Sequence, residues 1–504
     1  MRPASVLREH RLRGWLVAAG VTALAAALRL PALGRPHALV FDETYYVKDA
    51  WTLMHLGYEA QWPEDPNAAF EAGDVNSYLD KASYVVHPQI GKWILSGGLR
   101  LLGAESSVGW RLSSVVAGIL AVLLLTRIAR RLFRSDALGA AAGLILALDG
   151  LAIVHSRTAL LDGVLMPLLL AAFGALLIDR DRTAERLERL VAAGGVGALG
   201  PPLGFRGWRL LAGVLLGLAC GVKWSAIWYV AFFGLLTVGW DAVARRRVGL
   251  RSWWQGAFLR DAGPAFVSLV GVSVVVYLAG WFSWFRTPGA YGKTWAVRHP
   301  GEGVTWLPDV LRSFVEYHRQ MWEFHTHLTS EHTYAAKAVG WLIQWRPTSF
   351  YYESPTPAQE LCGADKCSQA ITSLGNPLIW WLGTIAVAAC VWWAIRRHDG
   401  IAVAAVSGLF AGWLPWFLYW DRTIFTFYAI VMLPWLALSL TWAGARFLRM
   451  HDPGAPPAPR WRLYAVIAAA VLIVVVTAFY YPIWTAMTVP FRFWQLHMWL
   501  PSWV

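Results

Sequence analysis

Apolar runs of bilayer length recur along the chain, with polar connections between them. A run of about 20 apolar residues crosses the hydrocarbon of a membrane at a rise of about 1.5 Å per residue. By this measure the sequence predicts about eleven transmembrane helices. They are expected near residues 14–33, 108–127, 136–155, 159–178, 209–222, 224–241, 263–283, 377–395, 401–419, 424–443 and 464–482.

Arginine divides the connections between these spans into two kinds. It clusters in every second connection, at 127–134, 180–189, 245–247 and 396–397. Because positive charge accumulates in cytoplasmic loops, this alternation predicts that residue 1 lies in the cytoplasm. The basic stretch Arg2 to Arg13 then leads into an uncleaved first span, and His451 to Arg460 is expected to be a flexible cytoplasmic linker.

This orientation leaves the long connections outside. The chain, 1–504, is predicted to be one membrane domain with outer loops at 34–107 and 284–376 and an outer tail at 483–504. A content of 57% hydrophobic and only 15% charged residues is typical of an all-α polytopic membrane protein. The net charge of +13 comes from short loops, so it indicates topology and not a nucleic-acid-binding surface.

The four cysteines fall into two pairs. Cys362 and Cys367 flank the turn CGADKC in the second outer loop, where an oxidising compartment favours a disulfide. Two thiols alone do not complete a zinc site. Cys220 and Cys390 fall within predicted spans and are expected to pack in the core.

An acidic pair follows the first span. Asp42 and Glu43, in FDETYYVKDAW, lie a few residues beyond the predicted membrane exit. Unpaired charge is costly near hydrocarbon. The pair is therefore either a solvated helix start or part of a site that supplies compensating cations.

More charged residues fall at the same predicted membrane face. Each alone could be a snorkelling side chain or a helix-end ion pair. Orientation would exclude positive charge from this face, so their accumulation near the acidic pair indicates a site. They are His87, Lys92, Arg111, Asp149, Arg157, Asp162, Lys223 and Arg422.

Carboxylates and cations at headgroup depth suit a lipid phosphate that carries a sugar. Arginine and lysine bind phosphate oxygens and stabilise a phosphate leaving group without a metal. A carboxylate can accept the proton of an attacking hydroxyl. The residues therefore predict glycosyl transfer from a lipid phosphate, with no cofactor and no indicated metal.

The order and spacing of several motifs resemble the protein O-mannosyltransferases, most closely the actinobacterial members. The motifs are FDETYYVKDAW, VHPQIGKW, GWR, HSR with LLDG, GVKW and DRTIFTFY, and they cover most of the chain. The resemblance implies a GT-C fold and inverting transfer of mannose from a polyprenyl phosphate to serine or threonine of a protein. It also implies unfolded acceptors presented by secretion partners at the outer face of the plasma membrane.

On the matching positions, Asp42 and Glu43 would form the catalytic acidic motif, with Asp42 as the base. The segment His332 to Tyr352 resembles an outer loop that closes over donor and acceptor, although its motif GWLIQWRP matches only approximately. The eukaryotic enzymes insert a β-trefoil domain in this loop, which 284–376 is too short to contain. Candidates for the donor phosphate are Arg111, Arg157 and Arg422, and further substrate-binding candidates are Asp162, Lys223, His87, Lys92, Trp341 and Trp345.

Two other functions stay open. One is a GT-C glycosyltransferase that acts on a cell-wall glycan, a lipoglycan or a lipid, and only the order of the motifs disfavours it. The other is a transporter of a lipid-linked sugar, which would place charges at the midplane and broken helices in matching halves. If Asp42 is not the base, Asp149 and Asp162 are the next candidates.

Overall fold

The computed structural model describes residues 11–450 and 456–504. The predicted basic start and the linker after His451 therefore lie partly outside the described residues. Helices dominate the first half. They are α1 (Arg11–Arg29), α2 (Glu43–Leu56), α3 (Asn67–Glu71), α4 (Ile90–Leu102), α5 (Ser107–Phe133), α6 (Asp136–Leu148), α7 (Gly150–Ser156), α8 (Leu161–Ala192), α9 (Gly207–Val222) and α10 (Ala226–Arg247).

The second half adds further helices and a small sheet. The helices are α11 (Trp253–Ala279), α12 (Phe282–Arg286), α13 (Trp295–Arg298), α14 (Asp309–His327), α15 (Ala358–Cys362), α16 (Pro377–Arg397), α17 (Gly400–Tyr419), α18 (Thr426–Phe447), α19 (Arg460–Trp484) and α20 (Phe491–Gln495). The strands are β1 (Thr348–Glu353), β2 (Cys367–Ser373) and β3 (Thr488–Pro490).

The helices match the predicted spans closely. In the described part of the chain, nine helices are long and apolar enough to cross a membrane, and α6 with α7 forms a possible tenth span. The 16-residue helix α9 corresponds to the shortest predicted span. Helix α11 starts ten residues earlier than predicted, because Asp261 is paired with Arg245 and its charge does not end the helix.

The third predicted span is broken. Helices α6 and α7 meet at a bend of 65°. Arg29 donates hydrogen bonds to the carbonyl oxygens of Leu146 at 3.1 Å and Ala147 at 3.0 Å, which α6 leaves unpaired at its end. Asp149 caps α7 by accepting from the Ala152 N–H at 3.2 Å. Among the described helices this is the one such bent pair, so the matching pair expected of a transporter is absent from them.

A three-stranded antiparallel sheet joins the second outer loop to the tail. Strand β2 pairs with β1 on one side and β3 on the other. The sequence did not predict this sheet. A disulfide between Cys362 and Cys367 connects the end of α15 to the start of β2, with Cα atoms 6.0 Å apart. Cys220 and Cys390 are free and buried.

Candidate active site

Asp42 lies at the start of α2 with an incompletely bonded carboxylate. Its Oδ2 accepts a hydrogen bond from the Tyr46 hydroxyl at 3.3 Å. Burial raises the pKa of Asp42 to about 6, although nearby Lys223 acts in the opposite direction. Among the described residues, no hydrogen bond reaches Oδ1. Asp42 is therefore a carboxylate with one oxygen available to a bound hydroxyl.

Glu43 has the opposite environment although it is the next residue. It is fully buried, and its two oxygens accept hydrogen bonds from Arg111 Nε and Nη2, both at 2.9 Å. The backbone N–H groups of Val40 and Ala159 donate to the same carboxylate at 3.0 and 2.7 Å. Glu43 therefore ties the start of α2 to α5 and to the turn before α8, and it is a positioning residue.

Arg111 has no donor left for a phosphate. Besides its pair with Glu43, it donates to the carbonyl oxygens of Leu33 at 3.3 Å, Pro36 at 2.9 Å and Ala38 at 3.0 Å. A guanidinium has five N–H groups, and these contacts use all of them. The geometry thus argues against the predicted contact between Arg111 and the donor phosphate.

Arg157 also donates to backbone carbonyl groups, but with three of its five N–H groups. Its Nη1 donates to the carbonyl oxygens of Arg29 and Pro31 and its Nη2 to that of Ala32, each at 2.7 Å. The chain between α1 and α2 is not helical, and its carbonyl groups need donors near the membrane. Arg157 supplies three of those donors, and its contact with the donor phosphate stays a prediction.

Lys92 belongs to an ionic cluster with Asp49 of α2 and Glu59. It is 1% exposed and pairs with Glu59, and its Nζ lies 3.9 Å from Asp49 Oδ2. Burial raises the pKa of Asp49 to about 7. These carboxylates face the charge of Lys92, and its contact with substrate stays a prediction.

Asp162 and Lys223 form a buried pair beside Asp42. Lys223 Nζ lies 3.0 and 2.8 Å from the two oxygens of Asp162. The same ammonium lies 4.2 Å from the centre of the Tyr428 ring. The pair links the start of α8 to the end of α9, and it places a positive charge close enough to affect Asp42.

Arg422 keeps a donor without a partner. Its Nε donates to the His325 carbonyl oxygen at 2.7 Å, and its guanidinium lies 5.5 Å from the centre of the Trp416 ring. Nη1 is buried and has no hydrogen-bond partner among the described residues. A buried charged donor without a partner is costly, so Arg422 is the arginine best suited to an anionic ligand.

His87 lies between His325 and Tyr46. Its ring stacks on that of His325 with centroids 5.1 Å apart and lies 6.0 Å from the ring of Tyr46. Burial and the nearby charge of Lys223 hold the pKa of His87 well below its usual range, so the ring is neutral. Its Nδ1 also lacks a partner in the described part of the chain.

The predicted closing loop contacts the acidic motif. Phe350 in β1 stacks on Phe41, the residue before Asp42, with centroids 4.7 Å apart. Trp341 is fully buried and packs its ring edge-on to Trp416 at 5.6 Å. Trp345 is 53% exposed, so its side chain is accessible to a ligand but does not line the described site.

Sequence reasoning missed several residues at the site. Tyr46 has a local signal, because a residue four positions after Asp42 lies on the same face of a helix. His155 is 1% exposed, and neither ring nitrogen has a partner among the described residues. Asp149, by contrast, accepts hydrogen bonds from Trp380 at 2.9 Å and from the Asn376 N–H at 3.0 Å, so it is not an alternative base.

Two family models match the chain. Residues 310–503 match the C-terminal four-transmembrane region of protein O-mannosyltransferases, and residues 86–201 match the dolichyl-phosphate-mannose–protein mannosyltransferases. The polyprenol-phosphate-mannose–protein mannosyltransferase of Mycolicibacterium smegmatis (strain MKD8) is 36% identical over 506 residues, which cover 98% of this chain and 93% of the relative. The enzyme of the same name from Corynebacterium glutamicum is 31% identical, with 92% and 88% covered.

Solved structures show the same fold. The S. cerevisiae protein O-mannosyltransferase Pmt1–Pmt2 complex bound to the sugar donor matches with a TM-score of 0.73 at 14% identity, and 100% of this chain and 94% of that chain are covered. An oligosaccharyltransferase from Archaeoglobus fulgidus matches with a TM-score of 0.52 at 14% identity, and the match covers 94% of this chain and 56% of that one. The chain thus has the GT-C fold of multi-pass membrane glycosyltransferases.

Proposed function

Since the chain belongs to the protein O-mannosyltransferase family, we propose that it transfers mannose from polyprenyl-phosphate-mannose to serine or threonine hydroxyls of proteins. The observation that carries the proposal is the environment of Asp42. Its carboxylate has an available oxygen and a pKa raised to about 6, and it lies within electrostatic reach of Lys223. A base of this strength is ionised at neutral pH and binds a proton more readily than an ordinary aspartate.

The reaction is a single displacement at the sugar. The acceptor oxygen forms a bond to C1 of mannose from the face opposite the phosphate, while the bond between C1 and the phosphate oxygen breaks. Polyprenyl phosphate leaves with the electron pair of that bond, and Asp42 takes the hydroxyl proton. Attack from the opposite face inverts the configuration at C1.

The leaving phosphate needs positive charge in place before the bond breaks. Arg422 supplies it best, because its buried Nη1 has no partner among the described residues. Lys223 is a second source, since its ammonium has three N–H groups and two of them donate to Asp162. We propose that these cations act without a metal or another cofactor. Activity that persists in a chelator would support this, and activity lost to the chelator and restored by a divalent cation would contradict it.

The site faces the extracytoplasmic side in this proposal. Arg111 and Arg131 lie at opposite ends of α5, and the arginines that follow the positive-inside rule are at the end far from Asp42. Acceptors would reach the site during or after export, before folding buries their hydroxyl groups. Secretion machinery in the plasma membrane is the partner that could present them in this state.

The test uses purified protein, a peptide rich in serine and threonine, and radiolabelled polyprenyl-phosphate mannose. We expect label on the peptide from the wild-type protein and almost none from Asp42→Asn. Asp74→Asn is the matched control, because Asp74 is an exposed carboxylate of the same outer loop. Label that appears only on a glycan or lipid extract would contradict a protein acceptor.

A further inference from the structure

A large cavity opens at the membrane face opposite Asp42. Its volume is about 1760 Å³, above the roughly 300–1,000 Å³ of a typical small-ligand pocket. Residues of α1, α5, α8, α9, α10, α16 and α17 line it. Arg111 and Arg127 are sixteen residues apart on α5, which corresponds to about 24 Å along the helix. The cavity is therefore separate from the site around Asp42.

The rim of the cavity is basic and its walls are apolar. Eight arginines and four carboxylates line it among the described residues. Deeper in the membrane, the walls include Leu124, Leu215 and Leu236. A basic rim above an apolar wall matches an amphiphile with an anionic headgroup, and a free anion would not need the wall.

Among the described residues, the four carboxylates of the rim offset only half of the charge of its eight arginines. Asp181 pairs with Arg131 and Arg180, each at 2.8 Å. Asp399 is used as the cap of α17, where it accepts hydrogen bonds from the Ile401 and Ala402 N–H groups at 2.9 and 3.1 Å. The rim thus keeps an excess of positive charge that favours an anionic ligand.

Two arginines of the rim form no salt bridge with a carboxylate of the described residues. Arg127 lies over the Trp15 ring at 3.9 Å, and its buried Nη1 has no hydrogen-bond partner in the described part of the chain. Arg182 lies over the Trp208 ring at 5.2 Å, and none of the salt bridges among the described residues involves it. Aromatic faces orient both guanidinium groups, which leaves N–H groups for phosphate oxygens.

We propose that this cavity binds an anionic phospholipid of the leaflet opposite Asp42. Arg127 and Arg182, which both line the cavity, supply positive charge to the headgroup, and an acyl chain lies along the apolar wall next to Gly239 on α10. A phospholipid fits better than the polyprenyl carrier, because the carrier phosphate must reach the other membrane face during transfer. The inference concerns a second site and does not depend on the acceptor of the reaction.

The test measures lipid retention by native mass spectrometry. Delipidated full-length protein in mild detergent is titrated with phosphatidylglycerol, phosphatidylcholine or polyprenyl phosphate. We expect phosphatidylglycerol to bind at least about tenfold more tightly than phosphatidylcholine, because only the former carries a net negative charge. Equal binding of the two phospholipids, or tighter binding of polyprenyl phosphate that displaces phosphatidylglycerol, would overturn the proposal.

Variants of the cavity arginines test whether the lipid binds in the cavity. The double variant Arg127→Gln with Arg182→Gln should weaken phosphatidylglycerol binding by about tenfold or more. The control Arg396→Gln with Arg397→Gln removes the same charge from exposed arginines outside the cavity lining and should have little effect. Equal loss in both double variants would show a general charge effect and refute the site.

Two glycines of α10 provide a steric test. No atom of the described residues lies within 4 Å of a Cβ added at Gly239 or at Gly234, so both positions accept a larger side chain without a clash at that atom. Only Gly239 lines the cavity. Gly239→Phe should bind less phosphatidylglycerol than the wild-type protein, whereas Gly234→Phe should bind as much. Both variants should elute from a size-exclusion column like the wild-type protein. Unchanged retention in Gly239→Phe would contradict an acyl chain at this wall.

Discussion

Replacing Asp42 with asparagine isolates the chemistry of the proposed base. Asparagine has nearly the same shape, and its side-chain oxygen can still accept the hydrogen bond that Tyr46 donates at 3.3 Å. No ion pair is broken directly, because Lys223 keeps its contact with Asp162. The variant should therefore fold normally and lose the ability to accept a proton.

The expected loss is large. General-base catalysis contributes about 10²–10⁴ in rate, which corresponds to about 2.7–5.5 kcal/mol of activation free energy. Because Asp42 accepts one hydrogen bond among the described residues, little of the loss should come from disturbed structure. We expect turnover to fall by at least about 10² while the affinity for the lipid-linked donor changes little.

The pH profile gives a second readout of the same variant. Burial raises the pKa of Asp42 to about 6, so the protonated and inactive form accumulates as pH falls below about 6. The wild-type kcat/KM should then decrease about tenfold per pH unit in that range and level off above it. The residual kcat/KM of Asp42→Asn should not show this decrease at low pH.

The assay is the transfer of labelled mannose to peptide at saturating donor, with donor affinity measured separately by binding. A matched melting curve shows whether the variant is folded. The reasoning is refuted if folded Asp42→Asn binds donor and transfers mannose within about threefold of the wild-type rate, since no general base loses so little. Asp162 would then be the remaining carboxylate at the site.

Three further outcomes follow from the same geometry. Arg422→Gln should weaken donor binding about tenfold or more and leave the melting temperature unchanged. Arg111→Gln should chiefly lower the melting temperature, because it breaks a buried pair. The reverse pattern would exchange the roles of the two arginines. Cys362→Ser should lower the stability of the outer sheet by about 2 kcal/mol in the closure-entropy model, measured by protease resistance. A cysteine at Ala72 should react with an impermeant thiol reagent in intact cells and one at Ala192 should not, and opposite labelling would invert the topology.

The membrane spans could be predicted because apolar length is a property of the sequence itself. The break between α6 and α7 could not, since it depends on Arg29 reaching two carbonyl groups more than a hundred residues away. The sheet was also missed. Its strands come from the second outer loop and the tail, and β2 is central only because the fold brings β3 beside it.

The acidic motif could be located from sequence, but the roles of its arginine partners could not. Arg111, Arg157 and Arg422 look equivalent as cations at one membrane face. They differ in the structure because the irregular chain between α1 and α2 exposes carbonyl groups that Arg111 and Arg157 satisfy. An irregular segment at membrane depth needs donors, but which arginine supplies them depends on the folded arrangement of the helices.

The adjacency of Asp42 and Glu43 has a physical explanation in these contacts. Glu43 neutralises Arg111 in a fully buried pair, and breaking such a pair costs about 3–5 kcal/mol. This anchor fixes the start of α2 and therefore the position of the preceding residue. Among the described residues, the side chain of Asp42 accepts one hydrogen bond, from Tyr46, so its other oxygen stays available. One carboxylate holds the backbone so that its neighbour can keep an oxygen available for the acceptor hydroxyl.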